Sequence, residues 1–446
     1  MRSLRRRRLW QLVVLGLLVV GLVGAAGAAG ACKFFVNCHL HSINSLQNEI
    51  GSYEGRDARL TGLPTNLDVT TVARGFSYPT DFDFLPDGRI VIAEKEGMIR
   101  SVPSSGPTDS QPFLDLRSRM ATKFFRGILG FKVDSQFASH PFVYVAYTPK
   151  LAGEKPTGPT IVRISRFRVV NDRADPSSER VIVGDDDNRP CEDQPPSADC
   201  VPSSLDVDGA DFVVAADGTL FVSTGFGGGQ EHVEPAAFLS QDRGSLAGKI
   251  LHVDRAGRGL PDNPYWDGDS ASNRSKVWAS GFRNPFRMAM LPGAPTTLAV
   301  GDVGWNSWEA LFRVTRGSDY GWPCYEGGRR TPEYDDTAFC ADYYRTHPNG
   351  RTVPWVALPH PSAIAITAGV PLVRATELPS DLRNDFVFAD WGQGTLTLVP
   401  LNDTRDPRQT RLAQSAAGPV RLRVGPDGAL YYLAANSGEL RRIAER

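Results

Sequence analysis

One piece of local grammar constrains this chain more than any other: an apolar strand, a Pro/Ala-Asp-Gly turn, a second apolar strand, then a glycine and a third short strand. The clearest copies are FDFLPDGRIVIAEKEGMIRSV (82–102), DFVVAADGTLFVSTGFG (211–227) and LRVGPDGALYYLAANSGELRRI (422–443). Asp-Gly between alternating apolar runs is a strong hairpin signal. Weaker relatives occur at GKILHVDRAGRG, around VWASGFRNPFRMAML and at DFVFADWGQGTLTLVPL. Hairpins recurring from Val69 to the end, with hardly any amphipathic helical pattern, predict an all-β six-bladed β-propeller of four-stranded antiparallel blades over residues 67–446. A β-sandwich, or two separate β domains, is the competing architecture. It is disfavoured because the Asp-Gly units run end to end with no linker between halves. Six blades take about 63 residues each, longer than the ~40–45 of compact blades, so the excess goes into loops. Such loops stand at Pro149–Pro159, Asp185–Pro202, Pro261–Lys276 and Cys324–Pro354, and loops on a rigid scaffold usually carry the site.

The N-terminus carries a second message. MRSLRRRR precedes an apolar run from Leu9 to Val23, which thins into GAAGAAGA before Cys32. Positive charge followed by an apolar stretch reads as an export signal, with Ala29-Gly30-Ala31 as a cleavage site. Leu9–Ala31 is also long enough to span a bilayer. Residues 1–31 are therefore a signal peptide or a membrane anchor, with lipid attachment at Cys32 a minor alternative, and all three put the body outside the cytoplasm. Residues 32–66 are a polar spacer without the hairpin grammar. Six cysteines fall into three close pairs, Cys32 with Cys38, Cys191 with Cys200 and Cys324 with Cys340, as expected of local disulfides in an oxidising space. None has the C-x-x-C spacing of a zinc site. The formal net charge is −1, with no long basic block outside the extreme N-terminus, so nucleic acid is not an expected partner.

Chemistry concentrates between Gly281 and Pro323: GFRNPFRMA, then GDVGWNSWEALFRV, then GSDYGWP. Arg283 offers a planar fork of donors to an anion and Asn284 an amide beside it. Asp302, Glu309 and turn carbonyls are the oxygen ligands that Ca²⁺ prefers. The residues alone leave two readings open: an anion site beside a hard-cation site, or glycines, prolines and tryptophans that only shape turns and core.

In this order the segments resemble the PQQ-dependent glucose/sorbosone dehydrogenase family. The resemblance begins at Val72 and extends over nearly all of the rest. GFSYPTDFDFLPDGRIVIAEKEGMIR is similar to the family's first blade and FRGILGFKVDSQFASHPFVYVAYT to its second. LSQDRGSLAGKILHVDRAGRGLPDNPYWDG resembles the segment before the cofactor arginine, while PHPSAIAITAGVPLV and LRNDFVFADWGQGTLTLVPL resemble the last blades. The resemblance implies that Arg283 and Asn284 grip PQQ. It also implies that the carbonyls of Val303 and Gly304 bridge calcium to it, and that Glu309 and Tyr320 belong to a second calcium site. The implied substrate is a sugar or aldehyde, with electrons passing to a membrane acceptor.

The pattern also breaks. The family's catalytic histidine and the aspartate that orients it are replaced by Val207 and Phe226 in SSLDVDGADFVVAADGTLFVSTGFGGG. The candidate substitutes are Asp206, Asp208 and, from a neighbouring loop, His232. His360 matches a position near the fifth-blade loop, bordering the pocket or capping a turn. The family's Arg-x-Arg clamp is replaced by Gly418 and Val420, with Arg421 and Arg423 displaced along the strand. Neighbouring strand positions face opposite sides, so Arg421 and Arg423 are expected to point away unless a bulge restores them. Phe125 stands where many relatives carry a polar residue, which makes that part of the axis less polar. Two functions follow: an extracytoplasmic PQQ- and calcium-dependent sugar dehydrogenase, or an inactive calcium-stabilised propeller that binds a ligand, glycan or protein through its loops.

Overall fold

The computed structural model describes residues 60–446 apart from 104–107, 110, 152, 154–157, 185–186, 205–208, 230–231, 294–295 and 349–350. The N-terminal signal or anchor, most of the spacer, Asp206, Val207 and Asp208 lie outside the described residues. Cys32 and Cys38 lie outside them too, so the disulfide expected between Cys32 and Cys38 is not among the bridges described below.

The three Asp-Gly copies fold into one turn. In each, the glycine sits at positive φ, 89° at Gly88, 86° at Gly218 and 81° at Gly428, a conformation that costs other residues a clash at Cβ. In each, the aspartate carboxylate accepts the amide two residues on: Asp87 from Arg89 at 3.0 Å, Asp217 from Thr219 at 2.9 Å, Asp427 from Ala429 at 3.2 Å. The same side-chain-to-backbone bond sets the hairpin register each time.

These hairpins belong to six antiparallel blades of four strands, the second carrying two further short strands. The innermost strands are Pro79–Phe84, Ile128–Val133, Phe212–Val214, Pro285–Met290, Ile366–Pro371 and Pro419–Val424. Each touches the next and the last touches the first, closing the ring. The closing blade is composite: strand Leu67–Arg74 pairs antiparallel with Glu439–Glu445, Leu67 opposite Glu445. Apolar clusters fill the gaps between successive blades. Strand Ile90–Glu94 shows why its sequence does not alternate: Val91 and Ala93 pack towards blade 2, Ile90 and Ile92 towards blade 6, and all are buried.

The axis is charged. Inner strands or the residues just before them contribute Asp81, Lys132, Asp211, Arg287, Arg421 and Arg423, and all but Arg423 are almost wholly buried. Arg421 Nε and Nη2 donate to Asp81 at 2.7 and 2.6 Å, Nη1 donates to Asp211 Oδ2 at 3.0 Å, and Nη2 also donates to Asp211 Oδ1. Arg423 reaches Asp81 at 3.2 Å, and Lys132 Nζ lies 3.5 and 3.6 Å from Asp81 and Asp211. Arg287 instead donates to the carbonyls of Val420 and Thr80. The inward direction of Arg421 and Arg423 corrects the expectation from simple alternation. A register shift between Pro419 and Arg421 turns the strand, and four other inner strands carry an equivalent shift near their start. Bulges re-aim side chains in this way at sheet rims and beside sites. Burial pushes the Asp81 carboxyl up, but Arg421, then Lys132 and Arg423, overcome it and hold it well below the usual range. Lys132 shifts for the opposite reason: burial, then Arg421 and Arg423, push its ammonium down to about 7.

Candidate functional site

The residues at the start of the fourth inner strand build the site. Gly281 has φ 81°, and a Cβ there would meet Asp319 Oδ1 at 2.2 Å and the Gly321 amide at 2.6 Å. Its absence lets GFRNP and GSDYGWP lie against each other, with the Trp322 amide donating to the Gly281 carbonyl at 2.9 Å and that of Tyr320 to the Ser280 carbonyl at 3.0 Å. Of the three expected disulfides, the two that fall on described residues are formed. Cys324–Cys340 closes the loop that follows GSDYGWP, and Cys191–Cys200 closes a blade-2 loop.

Asp302 sets the direction of the Arg283-Asn284 pair. Its carboxylate accepts the Asn284 amide at 2.7 Å and the Arg283 amide at 3.2 Å. Burial pushes the Asp302 carboxyl up to about 7 against the pull of those amides. Arg283 is buried, and its Nη1 donates to the carbonyls of Val303 at 3.0 Å and Gly304 at 2.6 Å. Its Nε and Nη2, and Asn284 Oδ1, are buried without a partner. The guanidinium carbon lies 5.9 Å from the Phe226 ring and 5.7 Å from Trp322. Trp305 and Tyr334 extend this aromatic wall, with centroids 6.0 and 5.5 Å from Trp322. Burial lowers the Arg283 pKa, against the influence of Glu326, Glu309 and Asp302. Unpaired donors on a buried cation, walled by aromatic rings, are the groups a planar anion would satisfy.

Beside it is a carboxylate-imidazole pair. Glu309, fully buried, accepts from the Gly304 amide at 3.2 Å and the Ile366 amide at 3.0 Å, and His360 Nε2 stands 2.8 Å from its Oε1. Burial raises the Glu309 pKa despite His360. Burial lowers that of His360, but the bond to Glu309 outweighs it and the net shift is upward. His360 keeps 24% of its side chain exposed. A histidine oriented by a buried carboxylate through one nitrogen has the other free for proton transfer.

The structure thus brings Arg283, Asn284, Val303, Gly304 and Glu309 together. Tyr320 is committed elsewhere: its hydroxyl donates to the Arg313 carbonyl at 2.9 Å, and its ring stacks on Phe282 at 4.6 Å. His232 is 71% exposed, 4.0 Å from Glu234. Phe125 is exposed, while Phe226 forms the wall of the arginine site. The calcium donor set does not fit the ion as arranged. The Val303 and Gly304 carbonyls already take Arg283 Nη1, and Glu309 is bonded to His360 and two amides. Among the described residues no group of three or more His, Cys, Asp or Glu converges on a metal position. The donors for PQQ fit better, because Arg283 Nε and Nη2 are the charged donors that its carboxylate and quinone oxygens require.

Sequence reasoning missed Glu326, whose Oε1 accepts the amides of Trp305, Ser307 and Trp308 at 2.7, 3.0 and 3.1 Å. It also missed Tyr334 and the partner of Glu309. Glu326 and Tyr334 come from the disulfide loop, and only the proximity of that loop to GSDYGWP signalled them.

Fold and site together define a six-bladed propeller with a buried, partly unpaired arginine just before its fourth inner strand. The Glucose / Sorbosone dehydrogenase family matches residues 76–442, and the chain belongs to that family. It is 31% identical to HIPL2 protein of Arabidopsis thaliana over 134 residues, 27% of this chain and 19% of that one. It is 23% identical to quinoprotein glucose dehydrogenase B of Acinetobacter calcoaceticus over 329 residues, 70% of this chain and 62% of that one. The chain thus spans less than two thirds of either relative. The PQQ-bound form of aldose sugar dehydrogenase from Streptomyces coelicolor superposes with a TM-score of 0.61 at 19% identity, covering 86% of this chain and all of that one. At that identity the likeness establishes the fold.

Proposed function

We propose that this chain is an extracytoplasmic PQQ-dependent dehydrogenase of an aldose or related aldehyde, delivering electrons to a membrane acceptor. The observation that carries the reading is the buried Arg283 guanidinium, two of its nitrogens unpartnered beside Asn284 and under an aromatic wall. When bound, PQQ would supply a quinone as the two-electron acceptor for the hydride that leaves the sugar carbon. Arg283 and Asn284 bind and orient the planar anion, while Phe226 and Trp322 exclude water from it. His360 Nδ1 takes the substrate hydroxyl proton, its Nε2–H held by Glu309. No step is assigned to calcium. The two disulfides and the arginine-led apolar N-terminus support an oxidising compartment, the N-terminus serving as cleaved signal or anchor.

A second reading is favoured by two observations. Arg421 and Arg423 are committed to Asp81 and Asp211, and Phe226 occupies the expected aspartate position. In that reading the receptor holds a glycan or protein ligand without turnover. Purified full-length protein titrated with PQQ, in calcium and in chelator, and then given a panel of aldoses and a redox dye separates the two. The dehydrogenase reading expects micromolar or tighter PQQ binding in both buffers and aldose-dependent dye reduction. His360→Gln should lower kcat by roughly 10²–10⁴ without loosening the cofactor, whereas Asp206→Asn, Asp208→Asn and His232→Gln should leave it unchanged. Binding without dye reduction supports the second reading. No binding at micromolar PQQ overturns the first.

A further inference from the structure

A cavity of about 320 Å³ lies outside the axial site, among the loops of blades 3 and 4, lined by Arg243, Tyr265, Asp319, His347, Arg351 and Thr352 with two further loop residues. Its cations rest on aromatic rings, with Arg243 and His347 at the exposed rim. Arg243 lies over the Tyr265 ring at 4.2 Å and Arg351 over Tyr325 at 4.2 Å, and the His347 ring stacks on Tyr343 at 4.7 Å. Arg351 is further fixed by Nε donating to the Gly328 carbonyl at 2.9 Å. Stacking holds a guanidinium plane in place while leaving its edge donors free. Among the described residues neither Arg243 nor Arg351 has a carboxylate partner.

The one acid in the lining is already engaged. Asp319 Oδ1 accepts from Gln241 Nε2 at 2.9 Å and the Gly321 amide at 3.0 Å, and Oδ2 accepts from the Tyr343 hydroxyl at 2.5 Å. The lining therefore offers two guanidinium edges and an imidazole against one satisfied carboxylate, a site with surplus donors and surplus positive charge. Gln241 Nε2 also donates to the Trp322 carbonyl at 2.9 Å, so one side chain links the Asp319 carboxylate to the backbone of the tryptophan over Arg283.

We infer that this cavity binds the acidic group of a saccharide, a carboxylate or sulfate on the sugar, through Arg243 and Arg351. Its volume falls at the small end of ligand sites, which run from roughly 300 Å³ upward, and suits a single sugar unit. The choice of a sugar as carrier rests on the reading of the axial site; the anion pocket itself does not. Ligand-observed NMR or calorimetry on the full-length protein tests it with D-glucuronate, glucose 6-sulfate, D-glucose and inorganic sulfate as probes. One acidic sugar should bind at least tenfold more tightly than both D-glucose and inorganic sulfate. Arg243→Ala and Arg351→Ala should each weaken it about tenfold or more at an unchanged melting temperature, while Arg283→Ala leaves it unaffected. Glucuronate against sulfated sugar as the tighter probe identifies the acid. If inorganic sulfate binds as tightly as either sugar, the cavity is a bare anion site and the saccharide assignment fails. No binding of any anion, or binding indifferent to both arginine substitutions, overturns the proposal. Loss of PQQ binding with acid binding intact would fault only the axial reading.

Discussion

Replacing Arg421 by alanine should expose how the axis is held. Arg421 neutralises two carboxylates, Asp81 and Asp211, that are fully buried on different blades. Without it, the counter-charges remaining near them are Lys132 at 3.5 and 3.6 Å, Arg423 at 3.2 Å from Asp81, and the buried Arg287, which acts on both carboxylates without bonding to either. Removing one partner of a buried ion pair costs about 3–5 kcal/mol, because the other is left uncompensated. Unfolding entropy of ~2.1 cal/mol/K per residue gives ~0.8 kcal/mol/K for a propeller of roughly 390 residues, so the melting temperature should fall by about 4–6 °C. The pH dependence has a definite sign. A carboxyl held below its unfolded pKa contributes stability that is present above about pH 4 and lost as pH falls further. In the variant burial, the largest influence on both carboxyls, is no longer outweighed and pushes Asp81 and Asp211 above the usual carboxylate range, so the deficit is greatest at neutral pH and shrinks towards pH 4 as they take up protons. Asp211→Asn added to Arg421→Ala should recover part of the loss, since Asp81 then keeps Lys132 and Arg423. Scanning calorimetry at pH 7.5 and 4.5 measures this. A shift under about 1 °C, or one equally large at both pH values, would refute the network as described.

Two further outcomes concern the axial site. Gly209→Ala places a Cβ 2.2 Å from Asn284 Oδ1 and should displace that amide; PQQ affinity measured by absorbance should drop severalfold with little change in melting temperature. Asp302 is pushed up to about 7 by burial, so its charge beside Arg283 is absent below that pH and present above it. Anion affinity at the axial site should therefore be stronger at pH 6 than at pH 8, and Asp302→Asn should flatten that dependence; a wild-type profile rising with pH would count against the placement.

The propeller was legible because a two-residue turn repeats with the same chemistry in three places, while the count of six came from the family resemblance, since the other blades carry no Asp-Gly hairpin. The Arg283-Asn284 pair stood out by residue type on one short stretch, whereas the carbonyls of Val303 and Gly304 came from the resemblance as calcium ligands and in the structure accept Arg283 Nη1 instead. Arg421 and Arg423 were misread because alternation is a rule for unbroken strands, and the bulge at Pro419 has no signature in side-chain types. Glu309 was read as a metal ligand. Its contact with His360 joins positions 51 apart across a strand pairing, which no local pattern encodes. The composite last blade was hidden similarly, since Leu67–Arg74 reads as one more strand until its partner at the far end of the chain is known.

The most direct test is an absorbance titration of PQQ into wild-type protein and Arg283→Ala at pH 6. A hydrogen bond to a charged group contributes about 1.5–3 kcal/mol, so losing the guanidinium should weaken binding by roughly 10- to 100-fold, with the melting temperature of the free protein little changed. Equal affinity in the two proteins would contradict the assignment of Arg283 as the anion receptor of this propeller.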